Sequence, residues 1–166
     1  SQANTFELAL GAETQILGGG TVSHDATWAN SMGVYRPLRD LYVNGTDGPD
    51  GVTTLTLEPS TTLKFPIYWA AFFVGTVGGG RLVADGTGGV ITITSQNATP
   101  TADDWSGIYF GSAASNGSVL RNVVVEAGGQ YYSTDGDRSN IVLATAANVS
   151  VLLDNVTSRK SSTWGL

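Results

Sequence analysis

Cysteine is absent from this chain of 166 residues, and charged residues are scarce. Without cysteine the chain has neither a disulfide framework nor a thiolate metal site. Charged residues make up 13% of the sequence, about half of the share found in ordinary globular proteins. The formal net charge of −6 disfavours nucleic acids and anionic membrane surfaces as partners, because both are bound through Lys and Arg.

Long hydrophobic runs and helical periodicity are also missing. The longest apolar candidate, residues 65 to 77, is interrupted by Pro66 and Gly75. It falls short of the roughly 18 residues that a membrane span needs. No longer stretch repeats its apolar positions at helical spacing. A hydrophobic content of 41% still permits a real core, so we expect one folded domain.

Short runs of β-branched and aromatic residues stand between turn residues along the whole chain. Several runs alternate strictly between apolar and polar residues, as in Leu55–Leu57, Leu63–Phe65 and Ile91–Ile93. Such alternation places one side of a strand against a core and the other side in water. The sequence therefore predicts an all-β protein, either an antiparallel sandwich or a coil of parallel strands.

An internal repeat favours the coil of parallel strands. One and the same shift along the chain aligns Ile108 with Ile141 and Leu120 with Leu153. Self-similarity at a fixed period is typical of stacked architectures, in which one repeat cannot bury its apolar face alone. A longer series of apolar residues, at intervals of similar length, also suits one coil per interval: Leu55, Leu82, Ile108 and Ile141.

Three parts of the chain share a strand–turn–strand pattern: Leu55–Phe65, Gly80–Thr87 with Val90–Ser95, and Asp104–Phe110 with Leu120–Glu126. This pattern resembles the signature of bacterial right-handed parallel β-helix proteins of the pectate-lyase-like superfamily. The resemblance covers residues 16 to 166 and implies a single right-handed parallel β-helix of about five coils. Residues 1 to 15 then form an N-terminal strand or cap. Ser60 departs from the family pattern, which usually has glycine at that position.

The alternation within this fold predicts which side chains point into the core. We expect them to lie on neighbouring parallel strands and to form stacked apolar rows. The predicted inward residues are Leu55, Leu57, Leu63, Phe65, Leu82, Ile91, Ile93, Ile108, Phe110, Leu120, Val123, Ile141, Leu143 and Leu153.

Catalytic residues cannot be assembled from the sequence. The acidic residues lie mainly in loops, and the exposed strand positions carry Thr, Ser and Val. His24 is the only histidine, and no nucleophile accompanies it in a recognisable arrangement. Arg121 and Asp154 occupy equivalent positions one coil apart and are expected to stack as a surface ion pair of little energetic value. We therefore predict no catalytic site and disfavour an enzyme.

Two acidic loops are candidate Ca²⁺ sites, and no other cofactor is predicted. One loop runs from Asn44 to Asp50, and the other runs from Asp135 to Ser139. Asp and Asn in glycine-rich loops supply the oxygen ligands that calcium prefers. Neither loop has the spacing of an EF-hand, so ordinary turn chemistry is the alternative.

A cluster of aromatic residues predicts a contact surface. Tyr68, Trp69, Phe72 and Phe73 follow one another so closely that strict alternation cannot turn all of them to one core. Exposed aromatic area marks a surface for another molecule. Another copy of the chain and a carbohydrate are the two partners that this cluster favours.

Sequons for N-linked glycosylation provide a further set of candidate sites. Asn155 carries a sequon too, but it aligns with Asn122 and is expected to form an internal asparagine ladder instead. The glycosylation candidates are Asn44, Asn97, Asn116 and Asn148.

The two ends of the chain predict self-association. Near the start, Phe6, Leu8 and Leu10 alternate with other residues as in a strand, which either caps its own coil or is exchanged with a neighbour. Near the end, Trp164 and Leu166 add apolar surface to the last coil. An open edge and a spare strand together favour strand addition between subunits.

We therefore predict an extracellular or cell-surface structural protein without catalytic activity, which associates head to tail into a fibre or surface layer. The low lysine content and the many Thr, Asn and Gly residues suit an exported protein. Two alternatives remain open: a glycan-binding or adhesive module of a larger surface protein, and a polysaccharide lyase or hydrolase.

Overall fold

The computed structural model describes residues 13–16 (as backbone), 19–130, 138–144 and 149–165. Their secondary structure is almost entirely β, with one short 3-10 helix at Asn30–Met32. None of these segments forms a helix that is long and apolar enough to span a membrane. The strands are β1 (Glu13–Ile16), β2 (Gly20–Val22), β3 (Ala26–Trp28), β4 (Val34–Pro37), β5 (Leu41–Val43), β6 (Thr53–Leu57), β7 (Thr62–Phe65), β8 (Ala71–Val74), β9 (Gly80–Asp85), β10 (Ile91–Ser95), β11 (Gly107–Phe110), β12 (Ser118–Glu126), β13 (Ile141–Leu143) and β14 (Val151–Arg159).

The strands stack in three parallel columns. The first column is a five-stranded sheet in the order β2, β5, β8, β11, β13. The second column contains β3, β6 and β9, and the third contains β1, β4, β7 and β10. Strand β12 pairs with β9 through one half and with β10 through the other, and β14 pairs along β12, so both cross two columns. The predicted parallel β-helix is confirmed, with four turns of chain between the five strands of the first column, against the predicted five coils.

The internal repeat corresponds to one complete turn of the coil. Ile108 lies beside Ile141 on the paired strands β11 and β13. Leu120 lies beside Leu153 on the paired strands β12 and β14. Both neighbours are parallel and in register, so the internal repeat identified from the sequence is confirmed.

The prediction that Leu55, Leu82, Ile108 and Ile141 follow one another at one interval per coil is wrong between Leu82 and Ile108. Leu55 does lie beside Leu82, but Ile108 lies beside Phe72 in the first column. The second column instead continues from β9 to β12, where Arg121 is 36 residues from its neighbour Asp85. Apolar alternation is the same in all three columns, so spacing alone does not tell one column from another.

The predicted core is confirmed except in the last coil. Leu143 is 41% exposed, and Leu153 is only partly buried, because no described strand lies beyond β13 and β14. The remaining predicted inward residues are buried: Leu55, Leu57, Leu63, Phe65, Leu82, Ile91, Ile93, Ile108, Phe110, Leu120, Val123 and Ile141.

A buried tryptophan adds to the core at a corner of the coil. The ring of Trp105 stacks on Phe65 with centroids 4.5 Å apart and planes 9° apart. Its indole N–H donates a hydrogen bond to the Glu126 carbonyl at 2.8 Å. The polar end of this large side chain is therefore satisfied while its rings remain fully buried.

The predicted asparagine ladder forms the bend inside the two longest strands. Asn122 and Asn155 have positive φ angles of 48° and 53°, which asparagine tolerates better than most residues. The amide nitrogen of Asn155 donates to Oδ1 of Asn122 at 2.6 Å. At these residues β12 and β14 bend from the second column into the third. In the preceding coil, a loop between β9 and β10 makes the same connection.

Ser60 occupies a backbone position that is suited to glycine. Its φ angle is 68°, although serine carries a side chain that disfavours this region. Its N–H donates to the Gly89 carbonyl in the next coil at 2.9 Å. A Cβ atom on Gly89 would clash with the Ser60 hydroxyl oxygen, so the glycine at position 89 makes room for the serine at position 60.

We predict that Ile108→Ala lowers the free energy of unfolding by about 2–5 kcal/mol, because it leaves a cavity beneath a fully buried side chain. Urea unfolding measures the change. Val90→Ala is the matched control, since Val90 is 55% exposed, and it should cost less than about 0.5 kcal/mol. Equal costs for the two variants would contradict this assignment of the core.

Candidate functional site

Two exposed aromatic residues stand side by side in the loop between β7 and β8. Tyr68 is 68% exposed and Trp69 is 64% exposed. Both have positive φ angles, 72° and 64°, in the left-handed region. Each such residue costs about 1–3 kcal/mol and persists only where its surroundings hold it in place, and strained residues of this kind cluster at binding sites. This loop is the first candidate site.

Three hydrogen bonds with two other segments hold the loop in this conformation. The Tyr68 N–H donates to the Asp104 carbonyl at 2.8 Å. The Trp69 N–H donates to the side-chain oxygen of Gln130. The Ala70 carbonyl accepts a hydrogen bond from the Ser106 N–H at 2.8 Å. The two rings are therefore presented to solvent by a fixed backbone.

A cleft of 280 Å³ lies between this loop and the end of β4. Leu38, which is 39% exposed, adds apolar surface to its wall. Arg39 lies beside it, is exposed, and forms no ion pair with any described residue. Asp40 is anchored, because its carboxylate accepts hydrogen bonds from the Ala71 N–H at 2.9 Å and the Tyr42 hydroxyl at 3.2 Å. The cleft thus combines aromatic walls with charged groups at its edge.

The predicted aromatic surface includes two residues that are not exposed. Phe72 is fully buried in the core, and Phe73 is 4% exposed. Phe73 lies outside the core cluster, and its ring packs between Tyr42 at 4.9 Å and Tyr109 at 6.0 Å in the first column. Alternation does send the two Phe rings in opposite directions, but neighbouring coils cover both. Tyr68 and Trp69 are therefore the exposed part of this cluster, Phe72 and Phe73 are not available as contact residues, and a partner for the exposed part stays a prediction.

A buried carboxylate supports the aromatic loop from below. Asp104 is 6% exposed and accepts hydrogen bonds from the Thr101 N–H at 3.0 Å, the Thr101 hydroxyl at 2.9 Å and the Asn97 amide at 3.4 Å. Burial acts to raise the pKa of Asp104, but these bonds and one from Ser95 outweigh it and lower the pKa. The main chain of this anchored residue accepts the Tyr68 hydrogen bond.

A second, polar groove of 450 Å³ runs along the outer face of β3 and β6. Asp50 and Arg81 form an ion pair at 2.7 Å on one side of it, and a hydrogen bond from Arg81 lowers the pKa of Asp50. Asp25 accepts the Thr54 N–H at 2.7 Å. The ion pair with Arg81 therefore favours the ionised form of Asp50.

Carboxylates elsewhere on this surface are engaged in local contacts. His24 Nδ1 lies 3.4 Å from Asp47 Oδ2, with the histidine side chain 83% exposed. The Asp25 N–H donates to Asp47 at 2.9 Å. The described ranges contain no group of three or more His, Cys, Asp and Glu residues placed to hold a metal ion. Asp135 and Asp137, in the second predicted calcium loop, lie outside the described residues, and calcium binding stays a prediction.

Arg121 lies at the centre of a charged row across three coils. It contacts Asp85 and Asp154, each at 2.8 Å, which confirms the predicted pairing with Asp154 and adds a second partner. Hydrogen bonds from Thr87 and Arg121 lower the pKa of Asp85, and the two carboxylates raise the pKa of Arg121. The row is exposed, so it contributes to register more than to stability.

The glycosylation candidates differ in their accessibility. The amide of Asn44 both donates to and accepts from Thr76, at 3.2 Å and 2.9 Å. Asn97 donates to Asp104, as described above. Asn116 is exposed and its side-chain oxygen accepts from Ser150. Asn148 lies outside the described residues. Of the described candidates, Asn116 is the one with the most open surroundings.

The last described coil exposes apolar side chains at an unpaired edge. In the described part of the chain, β13 pairs only with β11, and β14 pairs only with β12. Leu143 is 41% exposed, Leu152 is 48% exposed and Trp164 is 75% exposed. This end of the coil is the second candidate site. Four other predicted self-association residues lie outside the described ranges: Phe6, Leu8, Leu10 and Leu166.

Comparison with known proteins finds no matching family model, no matching curated protein and no matching solved structure. The stacked parallel coils show a β-solenoid, and no comparison supports membership of the pectate-lyase-like superfamily.

We predict that Tyr68→Gly is more stable than Tyr68→Ala by about 1 kcal/mol, because glycine adopts the left-handed backbone without the cost that alanine retains. Thr92, in β10, supplies the control, since its φ angle is not positive and glycine there should be less stable than alanine. Urea unfolding of the four variants decides the matter. The same order of stability at both positions would contradict the strain assigned to Tyr68.

Acid should remove the stabilisation that Asp104 provides. Its pKa in the folded protein is lowered, so it stabilises the fold above the unfolded-state pKa of about 3.9 and loses that effect as the pH falls through the folded-state pKa. The difference in unfolding free energy between wild type and Asp104→Asn should therefore be constant above about pH 5 and shrink as the pH falls below about pH 4. NMR titration of the carboxyl group tests the cause, because Thr101→Val should raise the pKa.

Proposed function

We propose that the chain is a non-catalytic structural β-solenoid, acting outside the cell, whose coils stack end to end with those of a second copy to form a fibre or layer. The observation that carries this proposal is Leu143, an inward-facing core residue that is nevertheless 41% exposed on an unpaired strand. Singly exposed apolar residues are normal on protein surfaces, but Leu143 ends an inward row on an unpaired strand, where a further strand would bury it.

The row that contains Leu143 indicates that another apolar side chain of the same row, on a second copy, would cover Leu143. Every position in this row carries an apolar side chain, from the first strand of the column to the last. The row comprises Val22, Val43, Val74, Phe110 and Leu143. A second copy placed one strand spacing beyond β13, about 4.8 Å away, would bring its Val22 onto Leu143 and continue the row.

A second row supports the same arrangement in the neighbouring column. It ends in the partly buried Leu153 on β14 and begins in the partly buried Trp28 on β3. Its members are Trp28, Leu57, Ala84, Leu120 and Leu153. The apolar surfaces at the two ends of the coil are therefore complementary in chemistry and in register.

The backbone at the C-terminal end is also suited to strand pairing. Ile108 donates to the Asn140 carbonyl at 2.9 Å, and Ala144 donates to the Phe110 carbonyl at 2.8 Å. Alternate residues of a parallel strand bond to opposite neighbours, so Leu143 directs its N–H and C=O away from β11. Main-chain pairing with a second copy would satisfy these groups.

Such a contact uses different surfaces on the two copies. A head-to-tail contact of this kind propagates into a filament unless its rotation closes a ring. The spare strand that contains Phe6, Leu8 and Leu10 lies outside the described residues, and its exchange between copies is not required by this arrangement.

We predict that Leu143→Asp weakens self-association more than tenfold, because it buries an unpaired charge in the contact. Val77→Asp is the matched control: it adds the same charge at a residue that is 88% exposed in a loop of the lateral surface. Light scattering and sedimentation velocity at rising concentration measure the effect. A wild-type chain that stays monomeric would remove the proposal.

The absence of cysteine allows the register itself to be tested within the same experiment. A mixture of the single variants Val22→Cys and Leu143→Cys should form a disulfide-linked dimer, because neighbouring strands bring Cα atoms within the disulfide range. A mixture of Val77→Cys and Leu143→Cys should not. Self-association without the first cross-link would keep the assembly but contradict this register.

A further inference from the structure

We propose that the cleft beside Tyr68 and Trp69 binds a neutral saccharide, with one pyranose ring packed against the two aromatic side chains. This site is separate from the coil ends that carry the proposed assembly. It adds a ligand-binding activity to a structural scaffold.

The composition of the cleft identifies the class of ligand. A pyranose ring has C–H groups on its faces and hydroxyl groups around its edge, so it needs an aromatic wall together with hydrogen-bonding groups at the rim. Tyr68 and Trp69 supply exposed rings, and Leu38 extends the apolar wall. Arg39 is an exposed donor without an ion-pair partner among the described residues, and Asp40 is a fixed acceptor beside it. Few polar groups around an apolar wall are typical of small-ligand sites.

The backbone around the rings is organised before any ligand arrives. Tyr68 and Trp69 both hold left-handed conformations, which exposed loop residues seldom adopt in succession. Three hydrogen bonds fix this conformation, two with Asp104 and Ser106 in one segment and one with Gln130 in another. Binding therefore orders little additional backbone, which lowers the entropic cost of association.

Charge selects a neutral ligand over an acidic one. The chain carries a formal net charge of −6, which repels polyanions at long range. Arg39 and Asp40, which carry opposite charges, both line the cleft. The site therefore offers donors and an acceptor to hydroxyl groups without a net positive field that would attract a uronic acid.

The volume of the cleft sets the expected affinity. At 280 Å³, the cleft lies at the lower end of ligand sites, which begin at about 300 Å³, so it accommodates one ring of a longer chain. For a contact with one ring we expect a dissociation constant on the order of 1 mM, which corresponds to about 4 kcal/mol of binding free energy. Several copies in an assembled fibre would bind a polysaccharide more tightly through multivalency.

Calorimetric titration of the full chain with neutral hexasaccharides of β-1,4-linked glucose, N-acetylglucosamine or mannose tests the proposal. At least one should bind with millimolar affinity. Trp69→Ala should weaken it about tenfold or more, and Trp69→Phe, which keeps a ring, should weaken it by about threefold or less. Val77→Ala is the control, because it removes an exposed apolar side chain outside both the cleft and the coil ends and should leave the affinity unchanged.

The test separates this proposal from the proposed assembly. Binding should persist in Leu143→Asp, which disrupts only the coil end. Failure of all three neutral sugars to bind would overturn the saccharide site, as would binding that Trp69→Ala leaves intact, or a preference for a galacturonic acid hexasaccharide. A change in oligomeric state caused by Trp69→Ala, without any sugar binding, would assign this surface to contact between copies instead.

Discussion

The stacking of each coil on the next is the interaction on which the rest of the structure depends. Apolar residues at the same position of successive strands form continuous inward rows, so that each side chain is buried by those directly above and below it. A single coil has no interior of its own. Leu143 and Ile141 show the consequence within one strand. Ile141 is still covered by its surroundings, whereas Leu143 is partly open because its row has no further member in the described chain.

The corners impose a second requirement, because the chain must turn there while its polar backbone remains satisfied. Asn122 and Asn155 meet it with left-handed bends and a hydrogen bond between their side chains. Asn140 meets it by another route, since its fully buried amide donates to the carbonyl of Arg159 at 2.9 Å and accepts from the Gly128 N–H at 2.7 Å. In the loop between β7 and β8, the main-chain N–H groups of Tyr68 and Trp69 are likewise hydrogen-bonded, while their rings lie in solvent.

Local patterns in the sequence predicted the repeating part of the structure well. The constant shift between repeats and the alternation around Ile108 lead directly to parallel strands and a stacked core, because both follow from backbone geometry. The columns could not be assigned in this way, and Phe73 was misplaced because its burial depends on the rings of other coils. The support of Tyr68 by Asp104 was also missed, since a loop held by distant segments leaves no periodic signal in the sequence.

The connections between columns differ greatly in length, although the strands keep their register. Residues 44–52 separate β5 from β6, whereas β12 passes from the second column to the third through a single bent residue, Asn122. The pairing of the parallel strands thus fixes which side chains point inward in each column, and it leaves the length of the connections at the corners free. Insertions at a corner therefore alter the outer surface of one coil without displacing the next. A fold of this kind can acquire new surface chemistry by lengthening a loop, and it does so without a new core.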